Sequence, residues 1–224
     1  EDANALNSIT IDYMKNIAST IGATPLIVSQ KSGSKLRDNV IYTRLGISTI
    51  SYNTFKNFLD KKPIFIRSNK AGLTVKINSE ELKNTIEKEN ISTSLLSRKI
   101  GVSSSMIKKY ENEDPEVSFT RAKKFYELFG SNVFISVDLT SSKLEEEVRK
   151  LSKFSRKYEE LGFVARDTKK VPFDIIAKKN KEIILTKVGD KLNKDLFSMS
   201  SLLEADDLVI FSRKKPKDIA SISQ

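Results

Sequence analysis

Residues 91–112 read ISTSLLSRKIGVSSSMIKKYEN, and their spacing is that of two short helices joined by a tight turn. Ser92 stands where a first helix needs an N-cap, and Leu95, Leu96 and Ile100 recur behind it at helical spacing. Gly101 supplies a residue free to take a positive φ, which a tight turn between helices requires. Ser103 is the expected cap of a second helix whose Met106, Ile107 and Tyr110 point back to the core. That leaves Ser104, Ser105, Lys108 and Lys109 on the outer face. Short polar side chains in the first turn and ammonium groups in the next suit a helix seated in a DNA major groove. The first reach base edges and the second meet phosphates.

The wider segment 82–130 carries LKNTIEKENISTSLLSRKIGVSSSMIKKYEN, a polar loop, and then SFTRAKKFYELFG. It resembles a lambda-repressor/Cro-type helix-turn-helix domain, with its LxxxxG(V/I)S turn, an IxxYE-like recognition helix and a closing LxxxxG helix. The resemblance implies base-edge contact by Ser104 and Ser105, beside the cap Ser103. It implies phosphate or neighbouring-base contact by Lys108 and Lys109, and backbone contact by Thr93 and Asn112. Arg98 and Lys99 are second in rank, because a solvated helix face explains them equally well. The chain departs from the pattern at Thr93, where many members carry a Gln that meets phosphate and braces the recognition helix. A threonine reaches less far. The competing reading is a trihelical unit that only packs, in an adaptor whose flanks bind protein.

Composition agrees with a polyanion partner. Lys and Arg total 39 against 29 Asp and Glu, a net charge of +10. With no Cys and no His, thiol nucleophiles, disulfides, cysteine zinc sites and imidazole bases are excluded. The reading therefore assigns no cofactor, no metal and no catalytic residue. No apolar run approaches a membrane span and no basic-then-apolar leader opens the chain, so a cytoplasmic protein without a membrane partner is expected. The chain begins at Glu1 rather than Met.

Three units are expected around the helical segment, an α+β arrangement of a central all-α unit between two α/β units. Residues 1–76 form the first, 77–140 the second and 141–224 the third. In the first, Ile11, Met14, Ile17, Ala18 and Ile21 recur at helical spacing before Gly22, and the run at 25–29 (PLIVS) reads as a buried strand. Strands at 40–42 and 47–50, a helix from Tyr52 or Asn53, and strands at 64–67 and 73–77 follow. The third opens with a charged helix, 142–160, bearing Leu144, Val148, Leu151, Phe154, Tyr158 and, just past its end, Leu161 on one face. Strands at 163–166, 173–178 and 183–188, a helix at 196–203 and a strand at 208–211 complete the order αβββαβ.

An Asp on one strand and a carboxylate-x-Lys on the next is the metal-binding arrangement of restriction-endonuclease-like, PD-(D/E)xK nucleases. Here Pro172-Phe173-Asp174 resembles the first element and Leu185-Thr186-Lys187 the second, with Leu185 in place of the acid. Leucine cannot ligate a hard cation, and Glu182 is an odd number of residues away, so it faces the other side of the strand. The unit resembles that fold with its chemistry lost, Asp174 and Lys187 being ordinary polar residues that pair with each other. The alternative is a metal-dependent nuclease that borrows an acid from elsewhere. A weaker internal likeness links GATPLIVSQK (22–31) with EADDLVIFSRK (204–214), each an apolar strand after a helix. It implies a second, incomplete nuclease-like repeat at the N-terminus, its opening hairpin before Glu1.

Across the chain, GATPLIV (22–28), LRDNVIYTRLGISTIS (36–51), the helical pair and LGFVARDTKKVPFDIIAK (161–178) resemble the archaeal HTH-type transcriptional regulatory proteins. The resemblance implies a non-enzymatic, sequence-specific regulator of double-stranded DNA. One such domain covers few base pairs, so a homodimer reading two half-sites through one of the flanks is expected.

Overall fold

The computed structural model describes residues 2–141, 151–190 and 194–211. Two compact units emerge. One comprises Glu1–Ala5 with Leu26–Ser141, the other Leu6–Pro25 with Ser142–Gln224. Among the described residues the architecture is α+β, with the longer sheet in the first unit and a four-stranded sheet in the second. The opening helix α1 (Ser8–Ile21) belongs to the second unit.

In the first unit, β1 (Leu26–Val28), the small ribbon β2 (Lys31–Ser32) and β3 (Ser34–Lys35), β4 (Val40–Arg44) and β5 (Ile47–Ile50) lead into α2 (Tyr52–Leu59). Strands β6 (Ile66–Asn69) and β7 (Gly72–Lys76) follow, then α3 (Ser79–Lys88), α4 (Thr93–Ile100), α5 (Ser104–Tyr110), β8 (Glu116–Ser118) and α6 (Phe119–Phe129). The six-stranded sheet runs β1-β5-β4-β6-β7-β8, with β1 parallel to β5 and β4 parallel to β6. Leu45 and Gly46 join β4 to β5, both at positive φ (47° and 84°). A two-residue loop of that hand matches the twist of the strands it joins.

The expected boundary at 76/77 falls between β7 and α3, yet the sheet continues beyond it. Segment 113–117, expected to be a polar loop, runs into β8, which pairs with β7 through Val75 and Val117. Val117 is buried in one apolar cluster with Val75, Leu82, Leu96, Ile107 and Phe125. A single inward residue among polar neighbours carries too weak a period to announce a strand. The helical segment is thus built onto the sheet by a shared core.

The second unit has α7 (Lys153–Glu160), β9 (Val164–Asp167), β10 (Ile175–Lys179), β11 (Glu182–Val188), α8 (Lys194–Leu202) and β12 (Asp206–Ile210), the order αβββαβ. Strands β9, β10 and β11 form an antiparallel meander, and β12 adds parallel to β11. Of the helix expected over 142–160, residues 142–150 lie outside the described residues, and the described helix is α7. Ser152 is extended and its hydroxyl accepts from the Ser155 N–H, so the helix begins at Lys153. Leu151 precedes it, Leu144 and Val148 lie outside the described residues, and Leu161, the C-cap, is largely exposed and does not continue the apolar face.

Helix α1, read from sequence with the N-terminal strands, packs in this second unit. Its Ile17 and Ile21 join Phe173, Ile176, Leu185 and Leu196 in one apolar cluster, and Gly22 ends it in the left-handed region at φ 74°. The local likeness of β1 and β12 has a counterpart in pairing, since each is an edge strand parallel to the second strand of a hairpin. For β1 that hairpin is β4–β5, which follows it in the chain.

Candidate nucleic-acid interface

The helical pair is held by its own caps. The Ser92 hydroxyl accepts from the Leu95 N–H at the start of α4, and the Ser103 hydroxyl accepts from the Met106 N–H at the start of α5. Between them Gly101 takes φ 80° and ψ 47°. Any side chain there would be strained, and a Cβ would also stand 3.1 Å from the Lys124 Nζ. Leu96, Ile100, Ile107 and Tyr110 are buried, and the Tyr110 ring meets Phe125 of α6 edge-on with centroids 5.8 Å apart.

Three polar side chains that the sequence reading missed fix this pair to its neighbours. Lys124 on α6 donates from Nζ to the Ile100 carbonyl at 2.7 Å, closing the C-terminus of α4 at the turn. Ser79, the first residue of α3, donates its hydroxyl to the Tyr110 carbonyl at 2.7 Å, the end of α5. The same hydroxyl accepts from the Asp114 N–H, while the Asp114 carboxylate accepts from the Ser79 N–H at 2.8 Å. That backbone N–H chiefly holds the Asp114 carboxyl below its ordinary pKa. The bracing that a Gln after Ser92 would give is here supplied from α6 and α3. Nothing local in the sequence signals partners this distant.

The outer face of α5 presents Ser104, Ser105, Lys108 and Lys109 to solvent, with Asn112 just beyond its end. The Ser105 hydroxyl lies 2.8 Å from that of Ser103, so the cap is shared. Lys109 forms an exposed ion pair with Glu113 at 3.3 Å, and the Asn112 amide donates to the Lys108 carbonyl. Thr93 is the half-buried first residue of α4; Arg98 and Lys99 are exposed farther along it. One expectation is corrected: Met106 is 37 % exposed and does not enter the core. With Ile107 and Tyr110 marking the buried side, Met106 falls on the flank of the seven-residue helix.

The nuclease pattern can be tested on its donors. Asp174 receives Lys187 Nζ at 3.1 and 3.0 Å and the Val188 N–H at 2.8 Å, so the two residues pair, as expected of them. Leu185 is fully buried against Phe173, Ile176 and Leu196, so the second carboxylate of the pattern is replaced by apolar core. In the turn before β4, Asp38 accepts from the Ser51 hydroxyl at 2.6 Å and from the Asn53 amide at 3.0 Å. Those bonds, Ser51 first, lower its pKa. Among the described residues no three acidic side chains converge on a common point. These donors do not fit a hard divalent cation. No helix of the described residues is long and apolar enough to cross a membrane.

Comparison with known sequences gives two kinds of match. The model of a family described as a PD-(D/E)XK superfamily domain matches residues 1–64. A "Putative HTH-type transcriptional regulatory protein" of Sulfurisphaera tokodaii is 30% identical over 220 residues, covering 92% of this chain and 74% of the relative. Proteins with the same descriptive name from Methanocaldococcus jannaschii and Methanococcus maripaludis are 29% and 27% identical. The first match covers 90% of this chain and 70% of the relative, the second 100% and 78%. No solved structure matches the chain. The nuclease-superfamily match lies on the N-terminal helix and strands, the segment whose likeness to 204–214 implies an incomplete repeat.

Proposed function

We infer, from the premise that this chain belongs to the archaeal family of HTH-type transcriptional regulatory proteins, that it is a sequence-specific, double-stranded-DNA-binding regulator. The observation that carries the reading is the α4–Gly101–α5 pair, capped at every junction, with Ser104, Ser105, Lys108 and Lys109 on its free face. In this reading the pair is a Cro-type unit and α5 its recognition helix. Ser104 and Ser105 stand at the end that reaches base edges, Lys108 and Lys109 bind phosphates, and Thr93 and Asn112 meet the DNA backbone. Serine and lysine discriminate bases less sharply than arginine or asparagine, so two half-sites in a pseudo-palindrome, read by a homodimer, supply the specificity.

Selection of bound sequences from a random duplex library tests this. A reproducible motif with two-fold symmetry is expected. The double variant Ser104→Ala/Ser105→Ala then blunts preference for the selected site while leaving the salt dependence of binding unchanged. Lys108→Ala and Lys109→Ala each weaken selected and random duplexes alike and reduce the salt slope by about 1. Equal losses on both duplexes for the serine variant would refute direct base reading.

The superfamily match over residues 1–64 favours a second reading, a metal-dependent nuclease. Against it stand the buried Leu185 and the occupied oxygens of Asp174 and Asp38. Incubation of the chain with plasmid and branched DNA in Mg²⁺ or Mn²⁺ decides between them. The regulator reading expects intact DNA.

A further inference from the structure

At the β1 edge of the six-stranded sheet, β1 and β5 run parallel and end together, Val28 beside Ile50. Ligand clefts of open α/β sheets form beyond strand ends of this kind, where the departing chains diverge. Here β1 leads into the ribbon β2–β3 and β5 into α2, and the residues that follow both strands line a cleft of about 590 Å³. Its chemistry is mixed. Lys31 and Lys35 bring exposed ammonium groups from the ribbon, the first partly offset by Asp2 at 3.8 Å. Asp38 lines the same cleft, its carboxyl kept ionised by the Ser51 and Asn53 bonds and by nearby Lys35. The two bonds orient the carboxylate and leave each oxygen a further lone pair. With no three acids converging among the described residues, that capacity suits hydroxyl donors rather than a cation. Tyr52, the first residue of α2, also lines the cleft and is 67 % exposed, so its ring has a face free for a flat partner.

We propose that this cleft binds a free ribonucleoside 5′-diphosphate, with Lys31 and Lys35 on the phosphates, Asp38 accepting from the ribose hydroxyls and Tyr52 stacked on the base. Simpler ligands fit it less well. A bare anion would face the Asp38 carboxylate, a bare cation would face two lysines, and an apolar molecule would leave all three charges unmatched. A ligand with an anionic end, hydroxyl donors and a flat ring matches every group, and the cleft has the volume usual for a ligand of that size. Lysine binds phosphate as a point charge, and the aromatic ring adds stacking that is tolerant of base identity. The same groups recur in a polynucleotide, but an acceptor for ribose hydroxyls favours a ribonucleotide over DNA. The cleft lies at the β1 end of the sheet, whereas the helical pair shares its core with Val75 of β7 and Val117 of β8 at the other end. This site is therefore separate from the face that reads DNA and does not rest on the regulator reading.

Titration calorimetry of the full chain, without DNA, against ADP, GDP, CDP and UDP tests this. At least one is expected to bind with a micromolar Kd, and inorganic phosphate and the matching nucleoside should each bind about ten-fold more weakly or worse. Lys35→Ala and Tyr52→Ala, both at exposed positions, should each weaken the nucleotide about ten-fold. Lys35→Arg and Tyr52→Phe should keep most of the affinity, because charge and ring face are retained. The matching 2′,3′-dideoxynucleotide should bind wild type about ten-fold more weakly, a difference that shrinks in Asp38→Asn. Circular dichroism checks that each variant folds. Absence of binding by all four nucleotides up to millimolar concentration overturns the proposal. So does a nucleotide affinity indifferent to both alanine variants. Inorganic phosphate bound as tightly as the nucleotide would leave an anion site only, which overturns it as well. A short oligonucleotide that binds more tightly than any free nucleotide, and loses that affinity in Lys35→Ala and Tyr52→Ala, would give the cleft to nucleic acid instead. Because the nucleotides are titrated without DNA, failure to bind any duplex counts against the regulator reading and leaves this result intact.

Discussion

The carbonyl of Ile100 is among the last of α4, and a helix leaves its final carbonyls without intrahelical partners. Lys124 supplies the missing donor from another helix, at a turn where Gly101 already occupies the left-handed region. Replacing it by methionine keeps the aliphatic stem and removes the donor. We expect Lys124→Met to lower stability by about 1 kcal/mol, the scale of a partly exposed charge-assisted bond. It should weaken DNA binding further than that loss alone explains, because the angle between α4 and α5 loosens. Lys124→Arg should recover most of both. Unfolding in urea and duplex titration give the two quantities, and unchanged binding in Lys124→Met would show that the turn holds itself. At this scale the sequence was legible wherever partners are local. Ser92, Ser103 and Gly101 act on residues within a turn, and the structure places all three in those roles. Lys124 was not legible, since one lysine on an amphipathic helix looks like any solvated lysine. Met106 misled because residue type suggests burial, whereas a seven-residue helix has room for only a narrow buried stripe.

Between elements, Ser79 and Asp114 tie the start of α3 to the end of α5 by reciprocal bonds. Asp114 has φ 44°, a conformation that aspartate and asparagine tolerate better than most residues. Asp114→Asn therefore keeps the backbone and the acceptor oxygen while removing the charge. The sign of the pH effect follows from the direction of the shift. A carboxyl whose folded pKa lies below its ordinary 3.8 contributes stability in full above that value, and this is lost as pH falls through the lower, folded value. Wild type should accordingly lose stability more steeply than Asp114→Asn below about pH 4. At neutral pH the variant should melt no more than about 2 °C lower, because the carboxylate is solvent-exposed and its interactions are screened. Parallel melting curves from pH 6 to pH 3 measure both, and identical slopes would remove Asp114 from the clasp. Element order was readable from periodicity, most clearly in αβββαβ. Boundaries and weak strands were not. Ser152 caps the start of α7 although the apolar repeat includes Leu151 just before it, and β8 rests on the single buried side chain of Val117.

At the scale of the molecule, the chain's first helix crosses to its last sheet. Ile17 and Ile21 of α1 pack into the cluster that holds Leu185 and Phe173, at the strand position where the nuclease pattern calls for its second carboxylate. The sequence showed the leucine and its chemical consequence. It gave no means of knowing that residues from the opposite end of the chain complete the apolar core around it, because packing between distant segments leaves no local period. This decides what restoring the acid would do. Leu185→Glu supplies the pattern's residue type beside Asp174 and Lys187, so a merely lapsed active site would regain Mg²⁺-dependent cleavage. In the structure observed here the new carboxylate is fully buried among Phe173, Ile176 and Leu196. An unpaired charge there is expected to cost about 3–5 kcal/mol. Most of that is relieved only by protonation or by opening the α1 side of the core. We expect a strongly destabilised variant that leaves plasmid intact in Mg²⁺ or Mn²⁺, with a melting temperature that recovers partly at acid pH as the carboxyl becomes neutral. The comparison of melting temperature at neutral and mildly acid pH, run beside the cleavage assay, separates the outcomes. A stable variant that cuts DNA, and stops when Asp174→Ala is added, would mean that the apolar core is a lid over a living site rather than its replacement.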